Sequence, residues 1–155
     1  MESVKTYDSR TVAYKFLDLK EKEDGGSLTL TQVLKLVYIA HGWMLGIYHH
    51  PLIKDPVQAW TYGPVIPNLY EAIRRFGKST VKKAALKTDE TLNTEAIKII
   101  EWVYKHYGHL SDYKLSDITH AKGTPWEQTY TGEFGTPISD KLIETYYRGL
   151  WCEAK

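Results

Sequence analysis

The stretch from Thr29 to Leu45 constrains the chain more than any other. Leu30, Val33, Leu34, Val37, Tyr38, His41, Met44 and Leu45 recur at the three-and-four spacing of a single helical face. Leu36, Ile39, Ala40 and Trp43 carry apolar character around most of the remainder. A helix apolar on nearly every side has to be enclosed by other elements, so the fold is expected to be built around this one. Thr29 or Thr31 is placed to cap it. Gly42 and Gly46 each cost roughly 1 kcal/mol of helix propensity, which predicts that another element crosses closely there.

The flanking segments supply the enclosure. Val12, Ala13, Phe16, Leu17 and Leu19 give a helical stripe from Ser9 to about Glu23, stopped at Gly25-Gly26. Val57 to Tyr62 alternates with period two and reads as a short strand broken by Gly63-Pro64. Pro67 suits the first turn of a helix running to Phe76 and ended by Gly77. The polar stretch from Lys78 to Thr91 is a loop or a minor hairpin through Val81 to Leu86. Asn93 or Thr94 opens a helix stopped by Gly108, Ser111 one that reaches Lys122, and Thr124-Pro125 a short turn around Trp126. A last helix runs from about Ser139 to Trp151. The expectation is a mainly α, single helical domain spanning residues 1–155, with about six helices and at most small β elements near 57–62 and 81–86.

Composition narrows the function. With 43% apolar, 25% charged and 13% aromatic residues, the chain is a globular one. Twenty basic against 19 acidic residues leave a net charge of +1, too balanced for a binder held mainly by phosphate neutralisation. One cysteine, Cys152, excludes a disulfide framework and a cysteine-rich zinc site and suits a reducing compartment. The polar N-terminus is no signal peptide, and no apolar run approaches the roughly 20 residues a bilayer needs. A cytoplasmic domain without membrane attachment is expected.

Motifs for chemistry are sparse. Among six histidines, His106 and His109 have helical spacing, but Gly108 between them ends the helix, and no third ligand is suggested. No metal and no cofactor are expected. Gly77-Lys78-Ser79 lacks the upstream glycine of a phosphate-binding loop, since Ala72 holds that position. Asp112, Asp117, Glu127 and Glu133 are candidates to converge with His120, though their spacing favours surface carboxylates. No catalytic residue is assigned. Six basic residues and no acidic one lie between Arg74 and Lys87, a solvated face or an electrostatic contact with an acidic protein or nucleic acid.

Five tryptophans and 12 tyrosines are the chain's oddity. Most must fill the core. Trp60, Tyr62 and Tyr70, however, flank a segment stiffened by Pro64 and Pro67, and rigid aromatic groups lose little rotamer entropy on docking. Core and interface both remain open for these rings.

A family resemblance runs along most of the chain. Val33-Leu34-Lys35-Leu36-Val37-Tyr38-Ile39-Ala40-His41-Gly42-Trp43 resembles the LQKLLYYAQGW signature of the Panacea domain, the SocA-like antitoxin domain that includes phage-associated GepA-like proteins. Ala59-Trp60-Thr61-Tyr62-Gly63-Pro64-Val65-Ile66-Pro67 is similar to its AWxYGPVxP segment. Leu115 to His120 with Thr124-Pro125-Trp126, and Ile138 to Tyr147, look like its later blocks.

The resemblance implies a non-enzymatic antitoxin of a bacterial or prophage toxin–antitoxin pair, whose partner is a cognate toxin protein held by direct contact. One branch of the family instead delivers its toxin to a ClpXP-type protease. The residues expected to meet a partner are Trp60, Tyr62, Gly63, Pro64, Tyr70, Arg74, Arg75, His120 and Trp126. Other readings are a phage or prophage module acting on a host factor without a toxin, and a nucleic-acid-binding module using 74–87. Nucleic acid fits the neutral charge less well.

Overall fold

The computed structural model describes residues 4–154. Its centre is the helix that the sequence places there. This helix, α2 (Leu30–Tyr48), starts with a capping box: Thr29 accepts from the Gln32 N–H, and Gln32 reaches back to the Thr29 N–H. Every residue from Val33 to Gly46 is buried. Its length and composition would suit a membrane span, so the apolar run is longer than expected, but 78% of that window is buried inside the fold. Protein takes the place of lipid around it.

Five further helices pack on this axis. These are α1 (Ser9–Asp24), α3 (Pro67–Ile73), α4 (Thr94–Tyr107), α5 (Asp112–His120) and α7 (Asp140–Ala154), with the short α6 (Pro125–Thr129) joining the last two. The described residues thus hold seven α-helices rather than about six. Asn93, Ser111 and Thr124 each cap their helix by accepting a backbone N–H, since a short oxygen side chain satisfies a donor that the first turn leaves free.

The crossing predicted at the two glycines is that of α7. A Cβ on Gly42 would lie 2.3 Å from the Tyr147 ring, and one on Gly46 would lie 2.7 Å from the Tyr147 carbonyl carbon. Trp43 closes this seam: its indole donates to the Tyr107 hydroxyl at 3.1 Å and meets Trp102 and Tyr147 edge-on at 5.1 and 5.3 Å. His41 is a core residue. Its Nδ1 faces the Leu52 and Ile53 N–H groups, each at 3.3 Å, which makes it the acceptor and leaves Nε2–H to donate to Asp140 at 2.8 Å.

The β structure is an antiparallel sheet in the order β2-β1-β3, formed by β1 (Val57–Trp60), β2 (Gly63–Val65) and β3 (Thr136–Ile138). Gly63-Pro64 does not end the β structure, as the sequence suggested. Thr61 and Tyr62 make the turn, and Gly63 and Pro64 start the returning strand, pairing with Trp60 and Ala59. Proline is tolerated because β2 is an edge strand. The candidate hairpin at 81–86 is instead a 3₁₀ turn, Lys83–Leu86. It is pinned by the buried Val81 and Leu86, with the Val81 N–H donating to the Leu28 carbonyl at 2.8 Å. Likewise α3 stops at Ile73, and Arg74–Phe76 continues as one 3₁₀ turn.

Candidate binding site at the hairpin tip

The turn between β1 and β2 leans over the first turns of α2 and links several of the residues expected to meet a partner. Trp60 ends β1; its indole donates to Gln58 at 2.9 Å, its ring meets Tyr70 of α3 edge-on at 5.1 Å, and Phe134 lies on it at 5.0 Å. The Trp60 carbonyl accepts from the Trp126 indole at 2.6 Å. Trp126 in turn stacks on Tyr130 at 4.7 Å and meets the His120 ring at 5.6 Å. The His120 Nδ1 pairs with the Ser116 carbonyl. Trp60, Tyr70, His120 and Trp126 therefore belong to one aromatic scaffold. Tyr62 projects from it with 83% of its surface exposed.

Arg74 and Arg75 stand apart from this tip. Both are exposed on the 3₁₀ turn after α3, Arg74 beside Glu71 at 3.5 Å and Arg75 over the Phe76 ring. The basic stretch is not a uniform surface either. Lys83 is held by Asp18 and Glu21 at 3.2 and 3.1 Å, and those carboxylates raise its pKa. Asp112 and Glu127 do not converge on His120: one accepts from the Thr29 hydroxyl and the other from the Gly123 N–H. Among the described residues no group of three or more His, Cys, Asp or Glu is placed to hold a metal ion.

Beneath the hairpin lies a cleft of about 380 Å³, walled by Leu30 and Leu34 of α2, Val65 of β2 and the rings of Trp60, Tyr70 and Phe134. Lys35 also lines it. Its side chain is 4% exposed, and its Nζ donates to the Pro64 carbonyl at 2.9 Å. Burial lowers its pKa to about 8, because a low-dielectric surrounding disfavours the charged form. Gly63 completes the arrangement. Its φ of 131° is one that side chains rarely adopt, and a Cβ there would stand 2.9 Å from the Lys35 amine. Gly63 and Pro64 thus position the lysine as much as they shape the turn. Sequence reasoning missed Lys35, Phe134 and the α2 wall, because only the folded hairpin brings them together.

A helical body wrapped on one buried helix, with an aromatic hairpin at its side, is framed by the sequence blocks that define a known class. The antitoxin SocA-like, Panacea domain profile matches residues 33–127, from α2 through the hairpin to the α6 turn. The chain belongs to that family. Among its relatives, Antitoxin SocA of Caulobacter vibrioides (strain NA1000 / CB15N) is 30% identical over 156 residues, covering 91% of this chain and 82% of the relative. No solved structure matches the chain.

Proposed function

We propose that this protein is a non-enzymatic antitoxin that neutralises a cognate toxin protein in the cytoplasm by direct contact, using the hairpin tip and the cleft beneath it. One observation carries the reading: Tyr62 and Phe134, two large aromatic side chains at 83% and 81% exposure, flank an open apolar cleft. Exposed rings beside a concave apolar surface are what a protein interface uses as anchors. The scaffold behind them is already rigid, so docking costs little ordering entropy. Family membership and the relative's name support a toxin as the partner.

Co-expression with the adjacent reading frame tests the proposal. The neighbour is expected to arrest growth alone and to be harmless when this protein is present. A neighbour that is harmless alone, or equally toxic in both cases, rejects the reading. Toxin abundance separates two mechanisms. Neutralisation in a stable complex leaves the toxin present, whereas delivery to a ClpXP-type protease removes it only in cells that have the protease.

A further inference from the structure

Lys35 is an anomaly that the proposed contact does not by itself explain. A buried cation is expensive unless it is paired, and proteins meet that cost with a carboxylate. Lys83, on the surface, has two. Lys35, in the interior, has none among the described residues. Of its three ammonium donors one meets the Pro64 carbonyl, the only acceptor it has among the described residues. The cleft it lines contains no acidic residue. The chain therefore holds a positive charge at an apolar recess and leaves it short of a counter-charge.

We propose that this cleft takes an acidic side chain of the partner protein, its methylenes lying on Leu34 and Val65 and its carboxylate meeting the Lys35 ammonium. The inference rests on the antitoxin reading and specifies its partner. Charge complementarity selects an anion, and the apolar walls select one carried on a short hydrocarbon stem, as in glutamate. A volume of about 380 Å³ admits one such side chain with a neighbour. Tyr62 and Phe134 extend the apolar surface outside the cleft, which suits a protein surface better than an isolated metabolite. A nucleic-acid backbone would need several cations along its path, and Lys35 is the single cation of the cleft lining.

The test is a carboxylate scan of the toxin encoded next door, each surface Asp and Glu changed to Asn or Gln, with affinity measured by calorimetry against this protein. One substitution is expected to weaken binding at least about tenfold, as when one partner of a buried charge pair is removed. Lys35→Met should weaken binding similarly while raising the melting temperature at pH 7, and the two changes together should cost no more than either alone. If wild-type protein neither binds nor neutralises the toxin, the antitoxin reading fails and this inference goes with it. If it binds normally while no single carboxylate matters, or while Lys35→Met binds equally well, this inference alone is overturned. Sensitivity confined to the toxin's C-terminal carboxylate also overturns it. Should Lys35→Met not fold, the scan against wild-type protein still decides.

Discussion

Lys35 carries the clearest physical signature of any single side chain in the fold. Its folded pKa of about 8 lies below the ordinary 10.5, so the unfolded chain binds more protons between those values. Stability is then fully present above pH 10.5 and is lost as pH falls through 8, by up to about 3 kcal/mol. Tyr38, Tyr104 and Tyr147 act oppositely. Burial, helped at Tyr104 by the Glu23 carboxylate, raises their pKa values, so their contribution is lost as pH climbs past 10. Urea midpoints are expected to increase from pH 7.5 to 9.5 and to fall above 10, and Lys35→Met should abolish the rise. Gly63→Ala should cost about 1–3 kcal/mol through its strained φ and its contact with the amine. Little of this was legible beforehand. Lys35 stands between Leu34 and Leu36, and periodicity places it on the helix without saying what folds over it. Its burial depends on Pro64, 29 positions away. Trp60, Tyr62, Gly63 and Pro64 stand out as candidates in the sequence because local chemistry marks them: two rings and a rigid corner.

Among the elements, the crossing of α2 and α7 is the most extensive packing in the fold. Gly42 and Gly46 differ in what an added methyl would strike. At Gly42 it meets the Tyr147 ring, whereas at Gly46 it meets Tyr147 and Arg148 backbone, which has no rotamer to escape into. Gly46→Ala is expected to destabilise by about 3 kcal/mol, the upper end of overpacking costs, and Gly42→Ala by somewhat less. Gly149, exposed on α7 with nothing within 4 Å, is the control: Gly149→Ala should stabilise by up to about 1 kcal/mol. Thermal denaturation of the three variants checks the order. Here the sequence was informative, because glycine inside an otherwise strong helix has a definite cost. Capping oxygens fixed the starts of α2, α4, α5 and α6 for the same kind of local reason. Strand β3 was not foreseen; Thr136–Ile138 is three residues with a central proline, too short for any period, and exists only because β1 offers it an edge. The 81–86 segment alternates too briefly to read as anything but a possible strand, whereas its apolar residues anchor a loop to α1 and α3 rather than pair with a neighbour.

For the whole molecule, one continuous cluster of buried side chains runs from Tyr7 to Tyr147 and includes residues of six of the seven helices, with Trp126 of α6 packed against it. With a single core threaded by α2, unfolding should be all-or-none. Far-ultraviolet circular dichroism and tryptophan fluorescence are expected to give coincident urea transitions, and separated midpoints would contradict this. The same core is rigid enough to carry the proposed toxin contact at its edge without sharing in it. Tyr62→Ala should therefore leave stability within about 0.5 kcal/mol of wild type while weakening toxin binding, read side by side from denaturation and calorimetry.

The tight seam between Gly46 and Tyr147 also has a history in time. During translation α2 leaves the ribosome ahead of the start of α7 by roughly 5–20 s at ordinary elongation rates. Throughout that interval the side of α2 that carries Gly42 and Gly46 is bare to chaperones and proteases. A newborn chain cut short ahead of α7 leaves that side of α2 uncovered and is expected to be a ready substrate for proteolysis.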